Sequence, residues 1–439
     1  MSATIRQETA PRHQPQGSAT SAMRCAESSD TQRPLHVLFS AYACAPNRGS
    51  EQGAGWNWPR AIAERGHRVT VLTTPRFRSE IEASIQSLPP QKPTYVFVDE
   101  PNIGWPWRGL PGQVLVFLKY LLWQHRLPSV ARQINGIDII HHVSWGSLRG
   151  GSRLHVLPAP LVFGPVGGGQ KAPDGLVGFL GHHARGERLR SILVGPHIMR
   201  WIGNARRVAR HASAVLVTNS DTYRQARALG AQRVELMLDS GIAPGFLSTG
   251  SHRDWTSPTL ELLWLGRLLP IKGLAIALEA LARLGPRVSV RLRIVGDGPE
   301  MPRMKALASH LELGNRVEWC GQVPWQDVCS YLDSSHLLVF TSVRDSFGSQ
   351  LLEASARGLP IMTLDHHGAR DHLPDSIAIK IPVGSGARTV DALACAILDV
   401  AADRSRLPTM STAAVAWATQ HTWEKKAEEC ERIYRTARE

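Results

Sequence analysis

The chain has 439 residues, 43% of them hydrophobic and 20% charged, an ordinary globular balance with room for two domains of about 100–200 residues each. A formal charge of +13 favours anionic partners: phosphorylated small molecules, an anionic membrane surface or nucleic acid. Six scattered cysteines without a C-x-x-C pair argue against a zinc site or a disulfide framework, and no apolar run reaches the ~18 residues of a membrane-spanning helix.

Residues 1 to about 34 are rich in Ser, Thr, Gln, Ala and Pro, lack apolar periodicity and read as a disordered tail with no secretory signal. From His36, HVLFSAYA reads as a buried strand, followed by a loop with Gly49, Gly53 and Gly55 and an amphipathic stretch ending at Gly66. RVTVLTT (68–74), YVFVD (95–99), DIIHHVS (138–144), PLVFGPV (160–166), AVLVTNS (214–220) and VELML (234–238) continue the series, most of them separated by helix-like segments. Short, continuously apolar strands alternating with helices predict a parallel sheet covered on both faces. A turn-rich stretch (243–258) reads as a linker, and the pattern then restarts with LELLWLGRL (260–268). VRLRIVG (290–296), RVEWCG (316–321), HLLVFTS (336–342), PIMTLD (360–365) and IAIKIP (377–382) complete the second series. TWEKKAEECERIYR (422–435) reads as a helix with Thr422 as its N-cap and a buried stripe of Trp423, Ala427, Cys430 and Tyr434. The expected division is a tail over 1–34, an N-terminal Rossmann-like domain over 35–243, a linker over 244–258, a second Rossmann-like domain over 259–416 and a terminal helix over 417–439. Open parallel sheets bind ligands at the carboxyl ends of their strands, so two facing domains put the site in the cleft between them.

Two constellations carry the chemistry. In GRLLPIKG (266–273), a buried strand ends at Gly266, and Arg267 and Lys272 emerge at its carboxyl end. Two cations there suit a diphosphate, Arg as a planar fork and Lys as a point charge; the alternative is a pair of solvated surface cations. In DSFGSQLLE (345–353), Gly348 and Ser349 should open a helix whose free N–H groups favour phosphate. Asp345 in the loop and Glu353 one turn inside the helix should lie roughly 10 Å apart, fit for the two sugars of one nucleotide sugar. The alternative is an acidic first turn serving the helix dipole.

With GRLLPIKG, the segments IVGDGPE (294–300), GQVP (321–324) and DSFGSQLLEASARGLPI (345–361) resemble those of family 4 glycosyltransferases, which are retaining enzymes of the GT-B fold. The first half matches more loosely, through its strand, glycine loop and helix and through GHRVTVL (66–72). The resemblance implies an α/β architecture of two facing Rossmann-like, doubly wound domains, acceptor domain first and donor domain second, with the C-terminal helix crossing back onto the first. It implies that Arg267 and Lys272 grip the donor diphosphate, that Glu353 holds the ribose, and that Asp345 contacts the sugar near its reacting carbon. Asp345 stands where the family's E-x7-E motif begins with Glu, a side chain shorter by roughly 1.5 Å. Gly266, Gly296, Gly321, Val323, Phe347, Gly348 and Ser349 join the donor set. Gly49, Ser50, Glu51 and Gly53 correspond to a first glycine-rich loop that approaches phosphate or acceptor.

His141 and His142 end a strand of the first domain, where the family often has a histidine near the donor sugar. His142 is the choice, since its neighbour points to the opposite face; a satisfied core histidine is the alternative for either. The glycine loop Gly164–Gln170 reads as cleft-lining. There is no D-x-D motif, and the resemblance implies neither metal nor cofactor: Arg, Lys and a helix terminus supply the charge, and a UDP- or GDP-sugar is co-substrate.

Trp105, Trp107 and Arg108 precede the apolar VLVFLKYLLW (114–123), and Arg185, Arg188, Arg190, Arg200, Arg206, Arg207 and Arg210 cluster further on, opposed by Glu187. These features suit an interfacial helix on an anionic inner-membrane face carrying a lipid-linked acceptor; the alternative is a core helix and a solvated charged face. The expected function is retaining hexosyl transfer to a glycan or polyprenyl-linked acceptor in exopolysaccharide or surface-glycan assembly, by a cytoplasmic protein peripheral to the membrane. A nucleotide-sugar epimerase of the same fold and a degenerate, non-catalytic subunit are alternatives. A nucleic-acid-binding protein is disfavoured: no aromatic ribonucleoprotein motif, zinc finger or helix-turn-helix is evident, so nucleic acid is not an expected partner.

Overall fold

The computed structural model describes residues 33–101, 112–199, 204–248, 253–285, 288–324 and 327–439. The first half runs β1 (His36–Ala41), α1 (Ser50–Glu64), β2 (Arg68–Thr73), α2 (Arg78–Ile85), β3 (Thr94–Phe97), α3 (Gly112–Ala131), β4 (Ile139–Ser144) and β5 (Leu161–Val166). It continues with α4 (Ala184–Leu193), α5 (Pro196–Met199), α6 (Ala205–His211), β6 (Ala214–Val217), α7 (Ser220–Leu229) and β7 (Val234–Leu236). The second half runs β8 (Leu260–Leu265), α8 (Leu274–Arg283), β9 (Val290–Val295), α9 (Met301–His310), β10 (Val317–Gly321), α10 (Val328–Ser334) and β11 (Leu337–Phe340). α11 (Ser349–Ala356), β12 (Ile361–Leu364), α12 (His367–His372), β13 (Ala378–Ile381), α13 (Gly386–Ala402), α14 (Leu407–Thr419) and α15 (Trp423–Arg438) follow.

The strands form two parallel sheets, ordered β3-β2-β1-β4-β5-β6-β7 and β10-β9-β8-β11-β12-β13. All six residues of β1, β4 and β5 are buried, as expected of strands covered on both faces. Each sheet reverses its winding once, between β1 and β4 and between β8 and β11. The loops leaving these four strands therefore flank the two crevices in which doubly wound sheets hold ligands. Those after β1, β8 and β11 contain Gly49, Arg267 and Asp345.

α15 leaves the second sheet and packs on the first. Its Thr422 cap accepts from Lys425 N, and Trp423, Ala427, Cys430, Ile433 and Tyr434 are buried in one core with Val37 and Phe39 of β1 and Trp58 of α1. The chain crosses between domains twice, side by side: Ile242 N donates to His421 O at 3.0 Å, and Trp423 N to Ile242 O at 3.2 Å. One segment departs from the expected division. The 3-10 stretch Asp174–His183 lies inside the span assigned to the first domain, yet Leu176, Val177 and Leu180 are buried in the core of the second with Leu262 and Ile294. A β–α periodicity reports burial but not which core receives the side chain.

In α3, Tyr120, Trp123 and Leu127 are fully buried against the first sheet, while Val114 and Leu122 of the same helix are 44% exposed. Trp105, Trp107, Arg108 and Arg200 lie outside the described residues. Arg206, Arg207 and Arg210 occupy the exposed face of α6. Among the described residues, no helix is long and apolar enough to cross a membrane.

Candidate active site

The second domain builds one wall of the cleft from strand ends. Gly266 follows β8 and Gly296 follows β9, with φ of 153° and 136°. Their backbones meet so closely that a Cβ on Gly296 would lie 1.9 Å from Gly266 O, which only glycine permits. This close approach opens a cavity of about 470 Å³ lined by Gly266, Arg267, Gly296, Val323, Ser349 and Glu353. The Arg267 side chain is exposed there, without an ion pair or hydrogen bond among the described residues. Gly321 closes β10 and accepts from Gly296 N at 2.8 Å. Gly348, with φ of 101°, precedes α11 and gives it no side-chain cap, so the first amides of that helix are free to meet an anion.

Lys272 ends a short 3-10 turn, Pro270–Lys272. Its ammonium pairs with Asp345, and both side chains are largely buried. Asp345 also accepts from Ser346 N at 3.0 Å and from Ser342 Oγ at 3.3 Å. One cation thus orients the carboxylate that precedes α11, and a second stands free at the next strand end.

A second cavity of about 410 Å³ lies between the domains. Gly49 and Gly53 line it from the first domain, Ser349, Leu352 and Glu353 from α11, and Ser240–Ala243 and Trp423 from the crossover segments. Ser349 and Glu353 face both cavities.

The comparisons with known proteins bear on this arrangement. Residues 254–417 match the family model described as glycosyl transferases group 1, and residues 56–238 match the glycosyl transferase 4-like domain. The chain belongs to the group 1, family 4 glycosyltransferases. WcaL of Salmonella typhimurium, named as a colanic acid biosynthesis glycosyltransferase, is 32% identical over 127 residues, covering 27% of this chain and 31% of its own. The D-inositol 3-phosphate glycosyltransferase of Kribbella flavida is 29% identical over 190 residues, 41% of this chain and 44% of its own. Each match thus spans less than half of the relative. Among solved structures, sucrose-phosphate synthase from Thermosynechococcus elongatus superposes with a TM-score of 0.67 at 18% identity, covering 91% of this chain and 98% of that one. HepE of Anabaena, solved with UDP and glucose, gives 0.59 at 17%, covering 90% and 99%. These likenesses establish the GT-B fold.

In this glycosyltransferase three site expectations, for His142, Phe347 and Glu51, need correction. His142 is not at the cleft. β4 continues through Ser144, so His142 sits inside the strand, fully buried against Tyr120 and Phe163, with Nε2 3.4 Å from Tyr120 Oη. Burial pushes its pKa down to about 3, keeping it neutral. His141 faces the other way and bonds Tyr434 Oη at 2.5 Å and Gly164 O at 2.7 Å. Phe347 is likewise core, edge-on to His372 at 5.6 Å, with no wall in the cavity lined by Arg267 and Glu353.

Glu51 lies in the first turn of α1, not in an open loop, and accepts from Gly146 N beyond β4 at 3.0 Å. Burial raises its pKa. The side chain of Ser50 lies outside the described residues. The glycine loop after β5 serves the joint between domains. A Cβ on Gly167 would lie 2.3 Å from Ser346 Oγ, and Gln170 Nε2 donates to that oxygen at 3.2 Å. Asn219 Nδ2 donates to Ser346 O at 3.1 Å.

Two further features escaped the sequence reading. Asp239, three residues past β7, lies within electrostatic reach of Glu51 and Asp345; burial raises its pKa, and the Asp345 charge adds to that. The domains are also latched at α7 and α12: His367 Nδ1 lies 2.7 Å from Asp221 Oδ2, Ser220 N donates to Asp371 Oδ2 at 2.6 Å, and His372 Nε2 lies 2.9 Å from Thr218 O. The only sequence signal for Asp239 was its place at a strand end.

Proposed function

We propose that the chain is a retaining, metal-independent hexosyltransferase that uses a UDP- or GDP-sugar and a glycan or polyprenyl-linked acceptor in exopolysaccharide or surface-glycan assembly. The observation that carries this reading is the shared cavity of Arg267, Glu353 and the uncapped start of α11, with Lys272 and Asp345 paired at the adjoining strand end. Arg267, Lys272 and the α11 amides would take up the negative charge that develops on the leaving diphosphate. Glu353 accepts from the ribose hydroxyls, and Asp345, held by Lys272, orients the hexose. The bond from the sugar's anomeric carbon to the phosphate oxygen breaks as the acceptor oxygen attacks from the same face. The departing phosphate oxygen takes the acceptor proton, so no protein nucleophile is needed. HepE of Anabaena has been solved with UDP-glucose, which makes a UDP-hexose the first donor to try.

The test is thermal stabilisation of the full chain by a panel of UDP-, GDP- and ADP-sugars, because a ligand bound only by the native state raises its stability. One donor class should raise Tm, and Lys272→Ala should abolish the rise. A rise unchanged in Lys272→Ala removes that residue from the diphosphate site. NMR of the product should give the donor's anomeric configuration; an inverted product ends the same-face mechanism.

A further inference from the structure

Next to Asp345, where the two domains meet, lies a group of charges that the donor reading does not use. Arg190 of α4 donates to Glu187 Oε1 at 2.7 Å and to Gln170 O at 2.9 Å. From the second domain, Arg344 Nε reaches the same Glu187 oxygen at 3.2 Å. Arg149, on the segment after β4, has no hydrogen bond or ion pair among the described residues, although it is half-buried near Arg190 and Glu187. Its strand-end segment is tied to the glycine loop by Leu148 N donating to Gly167 O at 3.1 Å. That loop in turn abuts Ser346, so three segments converge on this spot.

The charges do not balance. Two guanidiniums share one carboxylate and a third, Arg149, stands beside them unpaired, while the nearby Asp345 is paired with Lys272. Two positive charges remain on side chains partly withdrawn from water. Arg190 Nη1 is buried without a hydrogen-bond partner. Burial, and then the charge of Arg190, pulls both Arg149 and Arg344 below the usual arginine value, with Glu187 pulling the other way. Like charges kept together at such a cost await an anion. A phosphate monoester carries about −1.5 to −2 at pH 7, which matches the excess, and guanidiniums hold its oxygens in bidentate fashion.

We infer that Arg149, Arg190 and Arg344 form a phosphate subsite for the acceptor, with Glu187 fixing two of the three guanidiniums across the domain joint. The assignment to the acceptor rests on the transferase reading above; the subsite itself does not. The phosphate belongs either to a soluble sugar phosphate or to a polyprenyl phosphate at a membrane, and α4, which supplies Arg190, also shows an apolar stripe to solvent.

The test uses the full chain and inorganic phosphate at constant ionic strength. Phosphate should raise the Tm of the wild type and of Lys272→Ala. Arg149→Gln should weaken the apparent phosphate affinity about tenfold. Without phosphate this variant should melt no lower than the wild type, because it removes an unpaired charge. An equal phosphate response in wild type and Arg149→Gln, or none in either, overturns the subsite, while the nucleotide-sugar panel tests the transferase reading separately. Glucose 6-phosphate in solution and polyprenyl phosphate in phosphatidylcholine vesicles separate the two sources. Weaker binding by Arg149→Gln in one arm names the source, and undiminished binding in both overturns the inference.

Discussion

Lys272 and His142, both placed at strand ends by the sequence, meet different surroundings in the folded chain. Lys272 leaves a strand end with a partner beside it, because the turn Pro270–Lys272 carries its ammonium to Asp345. His142 stops inside β4, two residues short of the strand's end, where Tyr120 and Phe163 enclose it. A group buried there can neither reach a substrate nor hold a proton near neutral pH. We therefore expect His142→Gln to keep its transferase rate within about threefold while losing ~1–2 kcal/mol of stability, as core polar substitutions do. Steady-state kinetics alongside chemical denaturation test this. A rate loss of about a hundredfold or more at unchanged stability would return His142 to a place near the donor sugar.

At the scale of an element, α4 has two opposed faces. Glu187, 5% exposed, and Arg190 bind one face into the domain joint. On the other, Leu189, Ile192 and Leu193 are 59%, 61% and 38% exposed, with Arg185 and Arg188 exposed beside them. The exposed large hydrophobics among the described residues, from Val114 to Leu236, all belong to the first domain. An apolar stripe at helical spacing with a basic flank suits the interface of an anionic bilayer. Burying two such side chains is worth ~1.5–3 kcal/mol each, so Leu189→Glu with Ile192→Glu should cut binding to phosphatidylglycerol vesicles at least about tenfold. Stability should change by less than about 0.5 kcal/mol, since both residues face solvent. Vesicle co-sedimentation checks it, and equal binding by both proteins rules out α4 as the membrane contact.

Over the whole molecule, buried neutral histidines set the response to acid. Burial holds His141 down to about 4 and His142, His366 and His421 to about 3. Two lie in the first sheet, and two lie where the domains meet. In the unfolded chain each titrates near 6.5. Between that value and about 3–4 the unfolded state binds protons that the native state refuses, so stability falls as pH falls. Their contribution is complete above pH 6.5, and each protonation difference costs ~1.4 kcal/mol per pH unit inside the window. Tm measured from pH 8 to 4.5 should hold level and then drop below about 6.5. A profile flat to pH 4.5 would mean these rings are already charged in the native state.

The amino-acid sequence alone determined the alternation of strands and helices, the two parallel sheets, the strand-end loops with Arg267, Lys272 and Asp345, and the helix that carries Glu353. Those features are written locally, in apolar runs a few residues long and in glycines spaced along single loops. Tertiary structure decided the rest. It put Phe347 and His142 into cores, sent Asp174–His183 to the opposite domain, brought Asp239 within reach of the Asp345 charge and set Glu187 between Arg190 and Arg344. His141 bonds a tyrosine 293 residues away, a partner that no spacing in the chain announces. Periodicity tells a side chain whether to leave water, but the packing of distant segments decides what it meets there.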